Sequence, residues 1–143
     1  MKSRPAGSVW VWCGTIAGEP DLADYACDSF GEDGGALPNP FMVDAGVDDY
    51  DPSFAEFATF APSSIADALP GFSYVHQFGP ALVQTAERLG LREVTSLFLL
   101  YDHRDPSSPT GRAGPTWRDS SPTAPPGAVS GRLTYLGQYE YRH

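Results

Sequence analysis

Between Pro5 and Glu87 the chain has no lysine and no arginine. Those 83 residues carry thirteen acids: Glu19, Asp21, Asp24, Asp28, Glu32, Asp33, Asp44, Asp48, Asp49, Asp51, Glu56, Asp67 and Glu87. The positive charge comes from Lys2 and Arg4 at the start and from seven arginines beginning at Arg88. With no interleaved base to neutralise it locally, such a stretch carries a strong negative field. That field repels nucleic-acid phosphate and the anionic surface of a membrane, and it attracts basic proteins or cations. Solubility alone is the plainer explanation of the same excess.

Cysteine is scarce as well. Cys13 and Cys27 are too few for a disulfide framework, and each falls in a predicted element, which reads as a buried thiol in a reducing compartment. No apolar run approaches the length of a membrane span, and the opening MKSRPAGSVWVWCG lacks the apolar core of a secretory signal. A cytoplasmic protein is expected, without a membrane or nucleic-acid partner.

Groupings that carry chemistry are missing too. His76, His103 and His143 are isolated, with no HExxH, no HxH and no cysteine at ligand spacing. Asp44, Asp48, Asp49 and Asp51 do not follow the spacing of a calcium-binding EF-hand loop. The GEDGG stretch holds two acids that would repel a phosphate. Cys13 has no evident fixed base or helix N-terminus to lower its pKa. Asp102–His103–Arg104 reads as a solvated turn after a strand in preference to a polar site. No catalytic residue, cofactor or metal is expected.

What is present describes a folded chain. At 143 residues, with 41% apolar and 13% aromatic content, it is expected to be a single domain with its own core, unlike an acidic disordered tail. Residues 8–14 alternate Val9, Val11 and Cys13 with Trp10 and Trp12 and stop at Gly14, the pattern of a strand. The tryptophans are read as packing residues. A helix is predicted from EPDLADYACDSF, with Pro20 in its first turn and acids at the positive end of its dipole. Residues 31–40 read as a loop, and Phe41–Asp44 as a second strand. For residues 51–60 the pattern fits either a helix started by Asp51–Pro52 or a strand alternating Phe54, Glu56 and Ala58.

Ser64 to Leu69 reads as one helical turn before Pro70–Gly71. Residues 80–89 form the clearest helix, with an alternative start at Ser73 and a kink at Pro80. Residues 94–101 (VTSLFLLY) read as the central strand. Residues 105–127, rich in proline, glycine and serine, are expected to be a flexible surface loop. The last strand places Leu133, Tyr135, Gly137, Tyr139 and Tyr141 on one face, with Gly137 marking a bulge or a close backbone approach. The fold class is α+β: a mainly antiparallel sheet of three to five strands with two or three helices packed on one face.

The order of these segments resembles a known family. WVWCGT, a short acidic helix, FMVDAGVDDYDPSFAE, GFSYVHQF leading into a helix, SLFLLYD and LTYLGQYEY are similar to the immunity protein 22 family of small bacterial proteins found beside polymorphic toxins. The resemblance implies a non-catalytic inhibitor that binds a cognate toxin. The charge pattern adds that such a toxin would be basic, as nuclease-type toxin domains are, with charge steering the encounter and aromatic anchors filling the interface. Asp44, Asp48, Asp49, Tyr50, Asp51 and Glu56 are the expected partner-binding residues, with Phe54 and Phe57 in the core. Two other readings are a small enzyme built on Asp102–His103 and an adaptor whose proline-rich loop docks through Pro106-Ser107-Ser108-Pro109 or Pro122-Thr123-Ala124-Pro125.

Overall fold

The computed structural model describes residues 6–16, 18–26, 32, 39–50, 54–104, 112–113, 115–117 and 125–142. Its centre is β1 (Ala6–Gly14), hydrogen-bonded antiparallel on one side to β4 (Val94–Arg104) and on the other to β8 (Leu133–Arg142). Beyond β4 lies β3 (Ala55–Ser63), and beyond β8 the two-residue β7 (Val129–Ser130). The sheet order is β3-β4-β1-β8-β7, and the short β5 (Arg112–Ala113) pairs with the end of β4. A separate two-stranded ribbon joins β2 (Val47–Asp49) to β6 (Thr116–Trp117). The expected α+β class with a mainly antiparallel sheet is the class observed.

The helices lie against both faces of the sheet, not one. Val9, Val11, Cys13, Leu97 and Leu99 pack with α3 (Ile65–Ala68) and α4 (Val75–Arg88). Trp10, Trp12, Phe98 and Leu100 pack on the opposite side with α1 (Glu19–Tyr25) and α2 (Pro40–Ala45). The cause is in the strands. VWVWC and LFLL are apolar at every position, so both of their faces must be withdrawn from water. Burying one face alone would leave two tryptophans exposed.

Local sequence explains most element boundaries. Asn39 caps α2: its side-chain Oδ1 accepts the Met42 N–H at 2.8 Å, Pro40 opens the helix, and Gly46 closes it at φ 75°. These three signals, N-cap, proline at the first position and C-terminal glycine, make Phe41–Asp44 helical where a strand was expected. Ser64 caps α3 in the same way, accepting from Asp67 N–H at 3.2 Å, in line with the expected helical turn. The ambiguous segment from residue 55 resolves as strand β3, paired Ala55↔Leu100 through Thr59↔Ser96, while residues 51–53 lie outside the described ones. Helix α4 runs through Gly79 and Pro80 without a break in its assignment. Gly79 is buried, and a Cβ there would stand 3.3 Å from Val75 Cγ2.

Three expectations need correction. First, the last strand does not keep its odd-numbered side chains on one face. The β1–β8 register shifts between Val11 and Trp12, so Gly137 opposes Val11 while Tyr135 opposes Trp12. Gly137, at φ 117°, takes the bulge that was anticipated there. One inserted residue reverses the alternation: Leu133 and Tyr135 belong to the α1/α2 side, Leu136 and Tyr141 to the α3/α4 side. Second, β4 extends to Arg104, so Asp102–His103–Arg104 is strand and not a turn; Asp102 pairs with Ser8, and His103 with Gly7 and Ala113. Gly7 and Ser8 of β1 on one side and β5 on the other supply the pairing that holds it extended. Third, the 105–127 segment contributes β5, β6 and a half-buried Trp117; its other residues up to 124 lie outside the described ones except Pro115. A tryptophan amid proline and serine brings enough apolar surface to dock.

Candidate functional site

Of the six residues expected to meet a partner, Asp44, Asp48, Tyr50 and Glu56 have described side chains, and these separate in the fold. β2 leaves α2 at Gly46 and is anchored by Val47, which is buried and opposes Trp117 in β6. Alternation then turns the Asp48 side chain outward, and it is exposed. Asp49 pairs with Thr116 at the backbone level. Tyr50 is half-buried, its ring edge-on to Phe41 at 6.0 Å and to Phe57 at 5.7 Å, so it is bound into the α1/α2 core. Asp51 lies outside the described residues.

Asp44 works inside the molecule. Its Oδ2 accepts from the Tyr25 hydroxyl and, at 3.2 Å, from the Arg132 backbone N–H. The Arg132 guanidinium stands 5.7 Å from the Tyr25 ring centroid, on its face. One carboxylate therefore ties α1, α2 and the turn between β7 and β8 together. Burial raises the Tyr25 pKa, the hydrogen bond and negative charge of Asp44 raise it further, and Arg132 opposes them.

Glu56 belongs to the other side of the sheet. Its Oε1 lies 2.6 Å from the Tyr101 hydroxyl and accepts the Ser73 N–H at 2.8 Å, while Oε2 accepts the Ser73 hydroxyl at 3.1 Å. Burial again leads the upward shift of the Tyr101 pKa, with Glu56 adding to it. Above this clamp Tyr74, at φ 59°, opens α4 in a left-handed conformation that non-glycine residues seldom take. Its ring stacks on Tyr141 at 4.6 Å, and Tyr141 covers Gly7, where a Cβ would come within 2.4 Å of the ring. The aromatic packing holds a backbone conformation that costs on the order of 1 kcal/mol.

Sequence reasoning did not anticipate Trp117. Its ring centroid lies 5.1 Å from Trp10 and 6.2 Å from Trp12, so it roofs both tryptophans of β1. The available signal was the single large aromatic in a segment of small and proline residues. Under it, Trp10 Nε1 is buried without a hydrogen-bond partner among the described residues.

Burial pushes the Cys13 thiol from 9.0 up to about 11, against a small opposing effect of its own backbone hydrogen bond, so it stays protonated and weakly nucleophilic at neutral pH. Cys27 lies outside the described residues. His76 is exposed on the first turn of α4. Among the described residues no three His, Cys, Asp or Glu side chains gather as a metal site would require, and no helix is long and apolar enough to cross a membrane.

What remains as a surface is β2 with its exposed acid, laid over an aromatic core. No curated protein and no solved structure matches the chain. A family model described as Immunity protein 22 matches residues 9–142, from the first tryptophan-bearing strand through the bulged last one. The chain belongs to the Immunity protein 22 family.

Proposed function

We propose that this chain is a non-catalytic immunity protein that binds and neutralises a cognate toxin in the cytoplasm, and that the toxin domain is basic, of nuclease type. Membership of the family supports the immunity function. The observation that carries the finer reading is the placement of Asp48: exposed, on a strand facing away from the core, within an 83-residue stretch holding thirteen acids and no base. A partner with a positive face is drawn to such a surface, and its association slows as salt screens the attraction. Asp49, Tyr50 and Asp51 follow it in sequence and are proposed, on sequence alone, to belong to the same surface. Asp44 and Glu56 already serve internal hydrogen bonds, so their contribution is to hold that surface's scaffold.

The experiment is charge reversal at Asp48, Asp49 and Asp51 together, read by inhibition of the cognate toxin domain. The expected result is weaker inhibition and a flatter dependence on salt. Unchanged inhibition with unchanged salt dependence would refute the site.

A further inference from the structure

Trp10 is 5% exposed, and its Nε1 has no hydrogen-bond partner among the described residues. Native folds leave few buried donors in this condition, because an unmet donor forfeits its hydration without replacement. Its cover is Trp117, which is half-buried and is carried by β6. Among the described residues β6 pairs with β2 alone, and this ribbon is hydrogen-bonded to no strand of the main sheet. Two-stranded ribbons are marginal by themselves, so this one yields more readily than the sheet beneath it. The same ribbon carries the exposed Asp48. An outward charge, a half-buried tryptophan and an unmet donor thus occupy one place.

We propose that the β2–β6 ribbon and Trp10 beneath it are where the toxin is held: a basic polypeptide segment is steered onto Asp48, packs on Trp117 as the ribbon gives way, and brings an acceptor oxygen to Trp10 Nε1. This rests on the reading that the chain binds a basic toxin. Tryptophan is among the residues that most often dominate interface energetics, and desolvation by the partner strengthens a hydrogen bond made at its base. A main-chain carbonyl of an extended basic segment has the required chemistry. A second copy of this chain fits less well, since it would set one acid-only segment against another.

The test measures affinity for the purified cognate toxin domain, by calorimetry at two salt concentrations, for the wild type, Trp10→Phe, Asp48→Lys and Asp67→Lys. Asp67 is an equally exposed acid on α3, across the sheet, and serves as the control for charge. Trp10→Phe is expected to keep or raise the thermal midpoint, because it deletes an unmet donor, and yet to weaken binding at least tenfold. Asp48→Lys is expected to weaken binding about tenfold and flatten its salt dependence, with Asp67→Lys close to wild type. Wild-type affinity in either Trp10→Phe or Asp48→Lys overturns the proposal while the immunity reading stands. Failure of the wild type to bind overturns that reading and this surface with it. Asp48→Lys is at an exposed position and keeps the test decisive if Trp10→Phe folds poorly.

Discussion

Glu56 and Tyr101 are 45 positions apart in the chain and meet at 2.6 Å, carboxylate to phenol, across the β3–β4 pair. Ser73, from the turn before α4, supplies two more donors to the same carboxylate. One acidic side chain therefore joins the sheet's edge strand to its neighbour and to the α3/α4 layer.

Removing one partner of this clamp should destabilise the fold without weakening toxin binding. Tyr101→Phe deletes a hydrogen bond to a charged acceptor and is expected to lower unfolding free energy by about 1–3 kcal/mol. Glu56→Ala strips Ser73 of its side-chain acceptor and leaves the Tyr101 hydroxyl only the Ser73 carbonyl, at 2.9 Å, so it should lose more. Urea unfolding measures the loss. Affinity for the toxin, at a temperature where the variants remain folded, should stay within about twofold of wild type; a large drop would return Glu56 to the interface.

The Asp44 clamp makes a parallel prediction on the other face. Asp44→Ala releases the Tyr25 hydroxyl and the Arg132 N–H together, for an expected loss of about 1–3 kcal/mol. Gly131→Ala tests the same spot by volume: its φ is 57°, and a Cβ would overlap the Asp44 carboxylate. Both variants should shift the thermal midpoint downward by several degrees. A midpoint equal to wild type in both would contradict the clamp.

Much of the scaffold is legible in the residues themselves. The alternating VWVWC and the apolar LFLLY announce central strands, Ser64 announces a capped turn, and Gly137 announces a bulge. Helix α2 reads as a strand from the composition of FMVD, and the caps at Asn39, Pro40 and Gly46 decide against that reading. The site was much less legible. Whether Asp44 points to solvent or to Tyr25, and whether Glu56 meets a partner or Tyr101, depends on contacts 19 and 45 residues away. Charge pattern reports the sign of a field; it carries no information on which acids the fold turns inward. Trp117 was concealed by the polar composition of its neighbours.

Helix α2 positions β2, so its cap should matter to both stability and binding. Asn39→Ala removes the acceptor for Met42 N–H and is expected to cost about 0.5–2 kcal/mol. Hydrogen exchange at the α2 amides should accelerate with it. An unchanged exchange rate at Met42 would contradict the cap.

Stability should fall in alkali. Burial raises the Cys13 thiol from 9.0 to about 11 and also raises the phenols of Tyr25, Tyr101 and Tyr141. Each group stays protonated in the folded chain at a pH where the unfolded chain has ionised. The stability tied to it is thus complete below the unfolded pKa and lost as pH rises toward the folded one, at about 1.4 kcal/mol per pH unit for each group titrating. For Cys13 the window is pH 9 to about 11. Urea midpoints should be level below pH 9 in this respect and decline above it, and Cys13→Ala should decline less steeply. A Cys13→Ala curve parallel to wild type through that window would contradict the assignment.

The central claim, neutralisation by direct binding, is tested most directly by titrating the purified chain into its cognate toxin domain while following that domain's activity. The account predicts a saturable complex, loss of activity as the chain reaches equivalence, and weaker binding as salt is raised. A toxin domain that keeps full activity in a large excess of folded chain, with no heat of binding at low salt, would contradict it.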